Sequence, residues 1–137
     1  MEIRKEGKMA RILSTYDEYG YFYSEVEVPF GAGVMRGTDP VDQCKLMTTG
    51  GKFIGVAAAK NLNINEDKKY AAKSTVEVIK KGYVWVKVAS AVVAGDKAAC
   101  GANGKWAKTG TDSYDDVNGV FETSAEENGY AILHLRG

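Results

Sequence analysis

The chain is poor in the residues that usually carry catalysis or metal binding. Its 137 residues include one histidine, two cysteines and two prolines, and no apolar run is long enough to cross a membrane. Cys44 and Cys100 lack a C-x-x-C spacing, which excludes a recognisable zinc site, and we expect free thiols in a reducing cytosol. A catalytic triad needs a base beside its nucleophile. His134 is the only histidine, and in the alternating C-terminal stretch AILHLRG we do not expect it to serve as that base. We therefore predict no catalytic residue, no cofactor and no metal.

The charges balance in number but are segregated along the chain. With 18 basic and 18 acidic residues the formal net charge is zero, whereas a nucleic-acid binder usually has an uncompensated basic face. Residues 41–108 hold twelve lysines against five acidic residues, and residues 109–137 hold six acidic residues against one arginine. These blocks can neutralise each other within a subunit or between subunits, so we expect no direct nucleic-acid partner. The N-terminus lacks the apolar core of a signal peptide, so we expect synthesis in the cytoplasm and no membrane partner.

The densest glycine cluster is PFGAGVMRGTDP, residues 29–40. Gly31, Gly33 and Gly37 are spaced G-x-G-x-x-x-G, one residue longer than the dinucleotide fingerprint, and no Gly-Lys-Ser/Thr ending of a phosphate loop follows. Pro40 and β-forming residues stand where such a loop needs a helix. The cluster therefore predicts bends between strands.

Alternation of apolar and polar residues dominates the rest of the sequence. In STVEVIKKGYVWVKVAS it predicts two strands on either side of a Lys81–Gly82 turn, each with a buried valine face. Further strands are predicted at 26–28, 45–47, 53–59, 119–124 and 130–135, with glycine-bearing turns between them. The only helix that the sequence suggests covers 65–73. The fold class is therefore all-β, a small β-barrel or jelly-roll-like sandwich with an extended N-terminal arm.

We place the arm at residues 1–25 and a single β domain at 26–137. The arm is charged over residues 1–11 and aromatic from Tyr16 to Tyr23. Tyrosine provides a large contact area with few rotatable bonds, which suits an arm that docks on another surface. The alternative is a first strand whose aromatic residues cover the open end of its own domain.

The two tryptophans are further candidates for contact residues. Trp85 is expected to point away from the neighbouring valine face, toward a second sheet, another subunit or a sugar ring. Trp106 has the same alternatives. We predict that a capsid or subunit contact uses six residues, namely Tyr16, Tyr19, Tyr21, Phe22, Tyr23 and Trp85.

Four segments stand in a particular order: VPFGAGVMRGTDPVDQCKL, GGKFIGVAAAKN, YAAKSTVEVIKKGYVWVKVASAVVAGDKA and NGVFETSAEENGYAILHL. This order resembles that of the tailed-phage capsid cement, or decoration, proteins. In that family a V-x-R-G-T-D entry, an F-x-G-V-A strand, a V-x-V-x-x-x-G-x-x-W-V hairpin and an A-G-D turn follow one another. The resemblance covers about residues 26 to 135, whereas the arm is longer and more charged than the family pattern.

The resemblance implies a virion protein on the capsid exterior without enzymatic activity. Such a protein binds the major capsid protein, bridges its subunits as a homodimer or homotrimer, and stabilises the expanded shell. The alternative is a carbohydrate-binding or head-fibre β module in which Trp85, Trp106 and tyrosines serve as sugar platforms.

Overall fold

The computed structural model describes residues 18–59 and 69–136, and it is built almost entirely of β-strands, which confirms the predicted all-β class. A three-residue 3-10 turn, Ala102–Gly104, is the one helical element in these two ranges, so no helix there is long and apolar enough to span a bilayer. The strands are β1 (Glu18–Ser24), β2 (Val28–Pro29), β3 (Gly33–Arg36), β4 (Gln43–Leu46), β5 (Phe53–Ala57), β6 (Lys69–Tyr70), β7 (Thr75–Lys87), β8 (Lys97–Cys100), β9 (Trp106–Lys108), β10 (Asp115–Phe121) and β11 (Tyr130–Arg136).

Five of these strands close into a barrel. Strands β1, β4, β3, β5 and β7 pair in that order, and β1 returns to pair with β7. The β1–β4 pair is parallel and the other pairs are antiparallel. Alternate side chains of each strand point inward and fill the barrel. This barrel core comprises Phe22, Val28, Ala32, Val34, Cys44, Ile54, Ala57, Tyr70, Val76 and Val78.

Strand β7 replaces the predicted hairpin, because it runs without interruption through the expected Lys81–Gly82 turn. Gly82 has a φ of 137°, and the pairing with β1 skips one residue of β7 between Ile79 and Lys81. An extra residue of this kind is a β-bulge, and it exchanges the two faces of the strand. The valines before the bulge therefore lie in the barrel core, and those after it lie in a second core.

The same nine-stranded sheet continues beyond the barrel in the order β7, β11, β10, β8 and β9, and we call this part the second sheet. A parallel bridge between Val88 and Trp106 brings β9 back to the end of β7, so the sheet curls around its own core. Because β7 contributes to both cores, the barrel and the second sheet share one wall. The second core comprises Met47, Val56, Ala58, Ile79, Val84, Val86, Val88, Val92, Ala98, Cys100, Trp106, Phe121, Ala131, Leu133 and Leu135.

The helix predicted over 65–73 is wrong where the structure describes it. Lys69–Tyr70 forms β6, which pairs antiparallel with β2, and residues 65–68 lie outside the described ranges. The hydroxyl of Tyr70 donates a 2.6 Å hydrogen bond to the carbonyl oxygen of Ala58, and its ring packs edge-on against Phe30. These contacts with distant parts of the chain outweigh the weak local preference for helix.

The five other predicted strands are present, with shifted ends. Ranges 26–28, 45–47, 53–59, 119–124 and 130–135 correspond to β2, β4, β5, β10 and β11. The alternating pattern therefore located these strands, whereas β3, β8 and β9 were not predicted. Strand β8, KAAC, contains two adjacent buried alanines, so it shows no alternation of apolar and polar residues.

The described part of the predicted N-terminal arm is strand β1. It pairs with β7 from Glu18 to Tyr23, and with β4 through Tyr23 and Ser24. The buried hydroxyl of Ser24 donates a 3.0 Å hydrogen bond to the carbonyl oxygen of Ala71, which ties the end of β1 to the loop between β6 and β7. Residues 1–17 lie outside the described ranges. The range that we named the arm therefore includes a wall strand of the barrel.

The ionisation of three buried groups is expected to lower the stability of the fold at alkaline pH. Cys44 in the barrel core and Cys100 in the second core are free thiols. Burial raises the pKa of Cys44 from 9.0 to about 11, raises the pKa of Tyr70 from 10.0 to about 12, and also raises the pKa of Cys100. A raised pKa in the folded state means that the folded protein favours the neutral group. Each group therefore contributes fully to the free energy of unfolding below pH 9, and this contribution is lost as the pH rises through the pKa of the group in the folded state.

We expect the free energy of unfolding, measured with urea, to decline between pH 9 and pH 12. Cys44→Ala should flatten the first part of this decline, because it removes one of the groups that must ionise. The control Val34→Ala truncates an apolar side chain in the same core and should lower stability at every pH without changing the shape of the profile. A wild-type profile that stays level up to pH 12 would contradict this linkage.

Candidate functional site

The glycine-rich stretch 29–40 forms bends around strand β3, as predicted. Gly31 has a φ of 85°, which glycine adopts without strain, and its carbonyl oxygen accepts a 2.8 Å hydrogen bond from the indole Nε1 of Trp106. A Cβ on Gly33 would overlap the Sγ atom of Cys100. These glycines therefore allow chain bending and close packing, and over residues 38–59, which the structure describes, no helix follows them that could hold a phosphate.

The loop between β3 and β4 is held in place by side chains on either side of it, Glu25 after β1 and Gln43 at the start of β4. The Glu25 carboxylate accepts hydrogen bonds of 2.7 and 2.8 Å from the N–H and the hydroxyl of Thr38, and these bonds lower the pKa of Glu25. The N–H of Asp39 donates to the side-chain oxygen of Gln43 at 2.8 Å. The loop thus holds Val41, which is 72% exposed, in a defined position. This exposed apolar residue was not predicted from the sequence.

Three tyrosines of β1 form an exposed row on the outer wall of the barrel, which we call the tyrosine ladder. Tyr19, Tyr21 and Tyr23 are two residues apart, so their side chains project from one face of the strand. They are 52%, 64% and 46% exposed, and the rings of Tyr19 and Tyr21 meet at an angle of 66° with centroids 6.3 Å apart. Exposed tyrosines on a rigid strand are typical of protein contact surfaces. Tyr16 lies outside the described residues.

The structure corrects one member of the predicted contact set, Phe22. Its side chain points into the barrel and is only 7% exposed, because it alternates with the tyrosines along β1. The Nζ atom of Lys80 and the Cζ atom of Arg36 lie 5.5 and 5.9 Å from the centroid of its ring. Phe22 is therefore a core residue flanked by two cations, and its side chain is not available to a partner.

Trp85 lies on a different surface from the tyrosine ladder. It is half-buried on the second sheet, opposite Ile132 of β11. On the same face, Tyr83 and His134 stack in parallel with ring centroids 4.1 Å apart, and His134 Nδ1 lies 3.5 Å from a carboxylate oxygen of Glu122. The structure therefore brings the three tyrosines together but places Trp85 in a separate aromatic patch.

Trp106 cannot serve as a sugar platform, which corrects one alternative raised by the sequence. It is 1% exposed, and its ring packs edge-on against Phe53 with centroids 5.8 Å apart. Its indole N–H is used by the hydrogen bond to Gly31. Trp106 therefore joins β9 to the barrel instead of facing a ligand.

Other candidate sites lie away from the predicted contact residues. A groove of about 460 Å³ runs between the Pro29–Ala32 turn and the end of β7, and its lining includes Lys87, Lys105 and Glu127. None of the five predicted contact residues that the structure describes lines it. Over residues 18–59 and 69–136, no three His, Cys, Asp or Glu side chains are grouped so that they could hold a metal ion.

Comparisons with known proteins agree with this architecture. The chain matches the family described as structural cement protein (E217 gp24/Pam3 gp6) over residues 4–136. A chain from the capsid of Myoviridae phage XM1 is similar with a TM-score of 0.78 and 16% identity, covering 98% of this chain and 92% of that chain. The head fibre gp8.5 N base of bacteriophage phi29 is similar with a TM-score of 0.52 and 16% identity, covering 88% and 94%. No curated protein matches the sequence.

The fold and its surface define a small β-barrel protein with an exposed row of tyrosines on its wall. The chain belongs to the phage structural cement protein family. This family is structural and is not a class of enzymes, and membership implies association with capsid proteins and a location in the virion. The predicted phage structural role and the predicted family are thereby confirmed. At 16% identity, the two solved structures show the shared fold.

Proposed function

We propose that this protein binds the outer surface of a phage capsid and bridges neighbouring subunits of the major capsid protein, and that it thereby stabilises the expanded shell. The tyrosine ladder is the observation that carries the proposal. Its three side chains are exposed side by side on a barrel strand whose backbone is held by β7 along its length. A contact surface that is ordered before binding loses little conformational entropy when the partner docks.

Repetition of this contact strengthens the binding. We propose that the protein acts as a homodimer or homotrimer, so that one molecule reaches several capsid subunits at once. Each contact after the first is then intramolecular, which raises overall binding by about 10² to 10⁴. The segregated charges suit this arrangement, because complementary charged patches set orientation and register more than affinity.

The triple variant Tyr19→Ala/Tyr21→Ala/Tyr23→Ala tests the ladder directly. We expect its affinity for expanded, undecorated heads to fall at least about tenfold, because aromatic residues dominate the binding energy of protein contacts. Occupancy is measured by co-sedimentation with the heads followed by gel densitometry. The fold should be retained, since all three side chains point away from the barrel core.

The matched control is Val93→Ala. Val93 is 63% exposed, comparable to the tyrosines, but it lies in the turn before β8 of the second sheet. It should leave head binding unchanged. Wild-type occupancy of the triple variant, with an unaltered thermal unfolding midpoint, would show that the ladder is not the capsid contact.

A carbohydrate-binding module is the second candidate function, favoured by the aromatic patch that contains Trp85 and Tyr83. Aromatic rings on one face of a sheet can stack against sugar rings. A glycan array decides between the two candidates: sugar binding that is lost in Trp85→Ala, together with no binding to heads, would favour the module. Head binding without any glycan signal supports the cement function.

A further inference from the structure

The barrel wall is unpaired along part of β1. On one side, β7 pairs with β1 from Glu18 to Tyr23. On the other side, β4 reaches only Tyr23 and Ser24. Within the described residues, the first part of β1 therefore has no strand partner on the β4 side. We call residues 18–22 on this side the open edge.

Two hydrogen bonds at the end of β1 show which backbone groups face the open edge. The N–H of Tyr23 donates to Asp42 on the β4 side, and the N–H of Ser24 donates to Ser74 on the β7 side, both at 2.8 Å. Backbone groups of successive strand residues point to alternate sides. The N–H and C=O groups of Tyr19 and Tyr21 therefore point to the open edge, where the described residues provide no hydrogen bond to them.

These four groups are self-complementary. We propose that the open edge pairs antiparallel with the open edge of a second copy, about a two-fold axis that passes beside Gly20. Tyr19 of each copy then lies opposite Tyr21 of the other, and each such pair exchanges two N–H···O=C hydrogen bonds. The four bonds satisfy all the backbone groups that face the edge. An interface of this kind is isologous and closes at two subunits.

Charge complementarity favours a second copy over an unrelated strand. In this register Glu18 of one copy lies opposite Phe22 of the other and shares its strand face. The Phe22 ring is flanked by Lys80 and Arg36, at 5.5 and 5.9 Å from its centroid. The carboxylate of Glu18 therefore approaches two cations, and the symmetry repeats this contact. An arbitrary apolar strand would leave both cations without this partner.

The pairing also explains how the tyrosine ladder could act over a larger area. Side chains stand roughly perpendicular to the sheet, so the hydrogen-bonded edge leaves the tyrosine rings on the outer face. Two ladders then lie side by side as one platform of six tyrosines. The pairing names the partner, a second copy, and the edge through which the two copies associate. The role of this dimer on the capsid rests on the proposed function. Dimer formation itself is measurable without any capsid.

Tyr21→Pro in the full-length chain tests the pairing. Proline removes the N–H that points to the open edge but leaves the β7 hydrogen bonds of β1 intact, and proline is tolerated at strand edges. Because the change acts in both copies, two of the four bonds are lost. We expect the dimer dissociation constant, measured by analytical ultracentrifugation, to rise at least about tenfold. The control Tyr21→Ala removes the same side chain but keeps the N–H, and its dissociation constant should rise clearly less.

Near-ultraviolet circular dichroism shows whether Tyr21→Pro folds. If it does not fold, a second pair of variants tests the pairing instead. Glu18→Lys places a cation toward Lys80 and Arg36 and should weaken the dimer, and the added Lys80→Glu change should restore it. A monomeric wild type at about 100 µM, a trimer, equal effects of Tyr21→Pro and Tyr21→Ala, or no effect of Glu18→Lys would each overturn the pairing. If the monomeric wild type still bound heads, the proposed capsid binding would stand, whereas this inference and the proposed homo-oligomer would fall.

Discussion

Trp106→Ala is expected to lower the free energy of unfolding by about 4 kcal/mol, a large part of the total stability of a domain of this size. The substitution leaves a cavity between Phe53 and the second core and deletes the hydrogen bond to the Gly31 carbonyl. It also removes packing at the bridge between Val88 and β9, where the second sheet returns to β7. Urea unfolding followed by circular dichroism measures the loss.

Trp85→Ala is the matched control, because these are the only two tryptophans in the chain. Trp85 is half-buried on the outer face of the second sheet, so its removal exposes no core cavity of comparable size. We expect a loss of stability less than half as large. Equal losses for the two variants would mean that Trp106 does not join the barrel to the second sheet as the structure indicates.

Alternation predicted the buried faces well, because burial on a sheet follows the two-residue repeat directly. Val76 and Val78, and then Val84 and Val86, are all fully buried as expected. The predicted Lys81–Gly82 turn was wrong because a glycine near a bulge and a glycine at a hairpin turn look alike in the sequence. Only the pairing of β7 with β1 and β11 on its two sides distinguishes them.

The contact set was predictable only in part, for a similar reason. Once Glu18–Ser24 is known to be a strand, alternation places Phe22 on the opposite face from the three tyrosines. The segment was assigned to an arm, with a first strand as the alternative, so this rule was not applied to it. The open edge could not be predicted at all, because it depends on how far β4 extends along β1, which is a property of the closed barrel.

Residues whose environment comes from distant parts of the chain were the least predictable. Trp106 and Tyr70 form their hydrogen bonds with Gly31 and Ala58, and nothing near either aromatic residue in the sequence indicates these partners. Trp106 was left with three alternatives, a second sheet, another subunit or a sugar ring, and Tyr70 was placed in a predicted helix. Tertiary packing decides such positions, because local preferences amount to only a few tenths of a kcal/mol per residue.

Gly55→Ala is expected to destabilise the protein by about 3 kcal/mol, because the added methyl group overpacks the barrel wall. Gly55 lies in β5 beside β7, and a Cβ there would overlap the carbonyl oxygen of Ile79. A neighbouring strand backbone cannot rotate aside like a side chain, so β5 must move away from β7 and open the barrel. The tyrosine ladder would lose its rigid support, so head binding should fall together with the unfolding free energy.

Gly20→Ala provides the comparison within the same barrel. Gly20 lies in β1, and a Cβ there would meet its nearest atoms, in Lys80 and Phe22, at 3.5 Å, an ordinary contact distance. We therefore expect a change of less than about 1 kcal/mol, since alanine also restricts the unfolded chain more than glycine. Urea unfolding of both variants separates the steric cost at β5 from the general effect of replacing a strand glycine. If Gly55→Ala were as stable as Gly20→Ala, the β5–β7 seam would have to be wider than the structure shows, and barrel closure would not be what holds the ladder in place.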